Sequence, residues 1–124
     1  MRRGGFTLIE LLVVMAIIAT LLAVTAPRYF GQVERSKETV LRQTLVTLRE
    51  AIDKYYGDTG RYPDSLEDLV ARRYLRAVPN DPIADSTTAW VIVPPPDNQV
   101  KGAVYDVKSG ATGNGRDGVP YREW

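Results

Sequence analysis

The residues best placed to do chemistry stand at the start of the chain, where a Gly5-Phe6 junction is followed closely by Glu10. Glu10 is the only ionisable side chain between Phe6 and Ala26. A carboxylate inside a membrane-length apolar run costs on the order of 3 kcal/mol near the bilayer centre and less towards an end, so it calls for a partner. The bland alternative is a carboxylate resting on the positive end of a helix dipole. Elsewhere the chemistry is sparse. With no histidine and no cysteine, zinc sites of the usual kinds and histidine-based triads are excluded. Lys108 and Ser109 are adjacent, but neighbours on a strand face opposite ways and make no dyad. The glycine-rich stretch 109–118 lacks the Gly-Lys-Ser/Thr ending of a phosphate-binding loop.

The elements that must carry these residues read clearly. Phe6 to Ala26 as a helix extends roughly 31 Å, against about 30 Å of bilayer hydrocarbon. Arg2 and Arg3 ahead of it would stay on the cytoplasmic side and send the C-terminus outward. Pro27 removes a backbone donor and marks a helix break or loosening, beyond which the helix continues. Val33, Val40, Leu41, Thr44, Leu45, Leu48, Ile52, Tyr55 and Tyr56 recur at helical spacing, with Glu34, Arg35, Lys37, Glu38, Arg42, Arg49 and Asp53 mostly elsewhere. Gly57-Asp58-Thr59-Gly60 ends that helix. Asp64 with Glu67 predicts a capped short helix to about Tyr74. Strands are expected at 89–93 and 102–107, with 119–124 as a third edge. The fold class is therefore α+β, a long N-terminal helix packed on a small antiparallel sheet.

Arg3-Gly4-Gly5-Phe6-Thr7-Leu8-Ile9-Glu10 ahead of an uninterrupted apolar helix resembles the processing signal of type IV pilins and type II secretion pseudopilins. The Gly60-Arg61-Tyr62-Pro63 loop and Val78-Pro79-Asn80-Asp81-Pro82 are similar to the major, G-type pseudopilin. The resemblance implies cleavage by a prepilin peptidase between Gly5 and Phe6, where glycine leaves the backbone unhindered, and methylation of the new Phe6 amine. It implies a leader of residues 1–5, a transmembrane and assembly helix of 6–29, and a periplasmic domain of 30–124. Glu10 then pairs with the Phe6 amine of a neighbouring subunit and sets the register of a helical homo-oligomeric filament. Further implied partners are an inner-membrane assembly platform and minor pseudopilins. The subunit is expected in the bacterial inner membrane, single-pass, with its C-terminal domain in the periplasm, and then in a periplasmic filament that exports proteins. A minor type IV pilin for adhesion, twitching or DNA uptake is the alternative.

The same resemblance implies calcium on the loop after Tyr105-Asp106. Calcium takes six to eight oxygens, usually several of them carboxylates. Asp106, Ser109, Asn114 and Asp117 are the candidate ligands, opposed by the charges of Lys108 and Arg116. A solvated turn held by asparagine and glycine accounts for the same residues.

The competing readings of the N-terminus fit less well. An ordinary secretory signal would exit at Val24-Thr25-Ala26, directly before Pro27, and would not carry Glu10. A plain anchor explains the length but not the Gly-Phe-Glu spacing. The net charge is +1, from 16 basic and 15 acidic residues, and loss of the two leader arginines leaves the rest near balance. No nucleic-acid partner is expected from such a balance, and Trp90, Tyr105, Tyr121 and Trp124 read as packing aromatics. No catalytic constellation is present in the sequence.

Overall fold

A computed structural model describes residues 4–124, so the leader residues Arg2 and Arg3 lie outside the described residues. The chain divides into two compact units, one ending at Arg35 and the other spanning Ser36–Trp124. Helix α1, Leu8–Thr59, contributes to both.

In the first unit, leucine, alanine and methionine favour the helix, and the apolar context tolerates its valines and isoleucines. Thr20 and Thr25 turn their hydroxyls back onto the carbonyls of Ala16 and Leu21 at 2.8 and 2.9 Å. Neither hydroxyl is thereby offered unpaired to an apolar surround. The most apolar window of α1 has a mean hydropathy of 2.6 and is 0% buried within the chain. Pro27 lies inside α1, and the helix runs through it uninterrupted. The expected break is therefore absent from the single chain, although the proline still deprives Ala23 of its intrahelical donor.

In the second unit, α1 buries Leu41, Leu45, Leu48, Ala51, Ile52 and Tyr55, a stripe at three- and four-residue spacing. Val40 and Tyr56, expected on that stripe, are 51% and 40% exposed. The helix ends at Thr59, and Gly60 takes φ +73 with its N–H donating to the Tyr56 carbonyl at 2.8 Å. Helix α2, Leu66–Ala71, is capped by Ser65, whose Oγ accepts from the Asp68 N–H at 3.3 Å. The cap stands one residue later than the expected Asp64, because Asp64 is engaged with Arg61 at 2.9 Å. It also stops short of Tyr74, since Arg73 adopts φ 64 and ends the helical path.

Strands β1, Trp90–Val93, and β2, Asp106–Ser109, pair antiparallel with Trp90 opposite Ser109 and Val93 opposite Asp106. The second strand begins later than expected because the residues before it are committed elsewhere. Lys101 accepts from the Tyr62 N–H, and the Ala103 and Val104 N–H groups both donate to the Pro63 carbonyl. Gly102, at φ +108, lies so close to the Tyr62 carbonyl that a Cβ would stand 2.1 Å from its oxygen. The expected third edge is instead a 3₁₀ turn, Tyr121–Glu123. Leu66 and Leu69 of α2, Trp90, Val104 and Val107 close over the α1 stripe to form the core.

Candidate functional site: the helix start and the C-terminal loop

At the start of the chain Gly4 and Gly5 have open space around them, and Phe6 is 88% exposed. The next residues form a reciprocal cap. Glu10 N–H donates to Thr7 Oγ1 at 3.1 Å, and Thr7 N–H donates to Glu10 Oε2 at 3.1 Å. Two of the orphan donors of the helix N-terminus are thus satisfied by this pair. Glu10 Oε1 has no partner among the described residues, so one oxygen of the carboxylate caps and the other is open. Thr-x-x-Glu ahead of an apolar run is the sequence signal of this cap. Further along, Val13, Ala16, Ile17, Thr20 and Leu21 line a shallow apolar groove, with the small residues Ala16 and Thr20 one turn apart.

The four candidate calcium ligands do not converge. Asp106 Oδ1 accepts from Arg49 Nε at 2.9 Å and from the Val107 N–H at 2.7 Å. The Ser109 hydroxyl donates to Asp81 Oδ2 and accepts from the Ala111 N–H at 3.2 Å. Asp117 pairs with Arg42 at 3.3 Å and accepts from the Val119 N–H at 3.1 Å. Asn114 is exposed, and its backbone bridges to Pro120. Among the described residues no group of three or more Asp, Glu, His or Cys could hold a metal ion. The donor set does not fit calcium, for a physical reason: both carboxylates already face guanidinium groups, and the hydroxyl is turned inward.

Four residues outside the candidate ligand set organise this region. Glu38, buried, accepts from the Arg116 N–H at 3.0 Å and from the Tyr121 hydroxyl at 2.9 Å. Arg49 donates to Asp106, to the Val107 carbonyl at 3.1 Å and to the Trp124 backbone oxygen at 2.7 Å. Arg42 lies over the Trp124 ring, 4.2 Å from its centroid. Asp81, fully buried, takes Ser109 on one oxygen and the Ile83 and Ala84 N–H groups at 2.9 and 3.1 Å on the other. A signal for Glu38 existed, since it falls three residues before Leu41 and extends the buried stripe by one turn.

Comparison with known proteins agrees with this anatomy. Residues 1–26 match the family described as the prokaryotic N-terminal methylation motif. The chain is 31% identical to the type II secretion system core protein G of Klebsiella pneumoniae over 97 positions, covering 65% of this chain and 69% of that protein. It is 34% identical over 70 positions to the core protein G of Aeromonas hydrophila, covering 56% of this chain and 49% of the relative. It is also 35% identical over 68 positions to the type IV major pilin protein PilA of Myxococcus xanthus, covering 55% of this chain and 31% of that protein. The chain thus spans about half the length of some of these relatives. No solved structure matches it. With a methylation motif leading an apolar helix, an α+β domain behind it, and this extent of likeness, the chain belongs to the family of type II secretion system core protein G.

Proposed function

We propose that the chain is a filament-forming pseudopilin, and that its polymer drives protein export across the outer membrane. The observation that carries this reading is the exposed apolar helix with Glu10 at its head, one carboxylate oxygen of which has no partner among the described residues. In the proposed cycle a prepilin peptidase cuts after Gly5, and Phe6 becomes the methylated N-terminus. Residues 6–29 hold the subunit in the inner membrane, while 30–124 form the periplasmic domain. An assembly platform then adds subunits beneath minor pseudopilins, and the apolar helices exchange lipid for one another. Close packing at small residues such as Ala16, Ala19 and Ala23 favours that exchange.

The open oxygen of Glu10 receives the Phe6 amine of the neighbouring subunit, while the other keeps the Thr7 cap. Pairing the two charges offsets the cost of holding either in an apolar bundle. Pro27 is the point at which the helix loosens in the filament, because the hydrogen bond to Ala23 is already missing. The role is structural and not catalytic, in keeping with the names borne by the relatives.

The likeness to the Myxococcus xanthus pilin supports a second reading, a minor type IV pilin. One comparison separates the two: the exported proteome of the native host with the gene present, deleted and restored. Loss of a defined set of exported proteins with surface pili intact is the expected result. An unchanged exported set, with altered pili, twitching or DNA uptake, overturns the secretion reading in favour of the pilin.

A further inference from the structure

We infer that the Arg49 guanidinium is a built-in cation that does the work of a calcium ion in closing the C-terminal loop, and that loop closure in this chain is independent of calcium. Three oxygens converge on this one group. Asp106 Oδ1 meets Nε at 2.9 Å, and the Val107 carbonyl and the Trp124 backbone oxygen meet Nη2 at 3.1 and 2.7 Å. A side-chain carboxylate and a carbonyl from β2, with the Trp124 backbone oxygen, form the kind of oxygen cluster that gathers around a hard cation. Here the positive charge arrives on a side chain of α1.

The arrangement is reinforced along the same helix face. Arg42, two turns before Arg49, neutralises Asp117 at 3.3 Å and stacks on Trp124. Glu38, one turn earlier again, accepts from the Arg116 backbone N–H and the Tyr121 hydroxyl. The two candidate carboxylates of this loop, Asp106 and Asp117, are therefore each answered by a guanidinium from α1. A calcium ion must be taken up from solution, and its occupancy follows its concentration. A guanidinium stays charged at all working pH values, and its planar fork suits several acceptors at once. The part of the cation is thus permanent, and a chelator has nothing to remove. This inference stands apart from the choice between secretion and pilus, because it concerns only what holds the loop.

The test uses the full chain in detergent micelles, read by thermal melting of the Trp fluorescence and by proteolytic cleavage within 110–124. For the unaltered chain, the melting temperature and cleavage rate are expected to be the same in millimolar calcium chloride and in excess chelator, within about 1 °C. A calcium-bound loop would instead melt many degrees higher with calcium at a hundred times its Kd. Arg49→Gln is expected to lower the melting temperature by roughly 8 °C or more and to speed cleavage of the loop. Arg49→Lys keeps the charge but not the fork, so it should fall between the two. A calcium-dependent rise in the unaltered chain overturns the proposal. So does an Arg49→Gln chain that melts and resists cleavage like the parent. If Arg49→Gln does not fold, the lysine variant and the chelator comparison still decide the matter.

Discussion

The Tyr121 hydroxyl donates to the Glu38 carboxylate at 2.9 Å across 83 residues of sequence, and the Arg116 N–H donates to the same oxygen at 3.0 Å. A buried carboxylate on the helix is thereby the anchor of the last segment of the chain. Hydrogen bonds to a charged acceptor contribute about 1.5–3 kcal/mol, and an orphaned buried donor costs its own desolvation. Glu38→Ala should therefore destabilise the protein by about 2–3 kcal/mol, Tyr121→Phe by about 1 kcal/mol, and Glu38→Gln by less than the alanine change. Denaturant unfolding of the two single mutants and the double mutant checks this. Coupling below a few tenths of a kcal/mol would show that the contact does not anchor the segment.

The helix was legible because its period is local. Apolar residues at three- and four-residue spacing name the face that must be buried, and Gly60 marks the end. Glu38 continues the same local period by one turn, but its partners Arg116 and Tyr121 are connected to it by no local pattern. The late start of β2 has a similar cause. Alternation in 102–107 suits a strand, but Lys101 and Val104 are bound to the Tyr62-Pro63 loop, and that loop is set by the whole domain. The family resemblance implied calcium at this loop, whereas the guanidinium groups that meet Asp106 and Asp117 come from a helix 57 and 75 residues upstream in sequence.

Asp81 is the second buried carboxylate, and it holds a turn. Its Oδ1 accepts from Ile83 and Ala84, and its Oδ2 accepts from Ser109 on β2. Asp81→Ala strands three donors and is expected to cost about 3–5 kcal/mol, comparable to breaking a buried network. Asp81→Asn keeps one acceptor oxygen for the turn and should cost less. Ser109→Ala removes one donor and leaves two, with a cost of about 1–2 kcal/mol. Denaturant midpoints at constant slope measure all three, and an Asp81→Ala chain as stable as the parent would contradict the assigned role.

Tyr74 donates to Asp58 Oδ2 at 2.7 Å, and that bond, followed by burial, holds its phenol above the ordinary value. Tyr62 is also raised, by burial first and then by Tyr105 and Tyr56, onto which its ring packs. A phenol raised in the folded state adds stability that is fully present below the unfolded value of about 10 and is lost as pH rises through the folded value. Absorbance of tyrosinate during alkaline titration should show Tyr62 and Tyr74 ionising late. Asp58→Asn should bring the Tyr74 titration back towards the ordinary range and leave Tyr62 late. If both moved together, the shift at Tyr74 would not come from Asp58.

The cap at the helix start makes a graded prediction about assembly. Thr7→Val removes the acceptor for the Glu10 N–H but leaves the carboxylate, so it should weaken the helix start by about 1 kcal/mol and leave the open oxygen in place. Glu10→Gln keeps an oxygen for the Thr7 N–H but loses the charge that the proposed Phe6 amine requires. Glu10→Ala loses both. Processing, read by intact mass, should be normal in all three, because the Gly5–Phe6 junction is untouched. Filaments seen by electron microscopy should be reduced modestly by Thr7→Val and severely by both Glu10 changes. Were Glu10→Gln to assemble like the parent while Glu10→Ala failed, the carboxylate would serve only as the cap of its own helix, and register between neighbouring subunits would have to come from the apolar face alone.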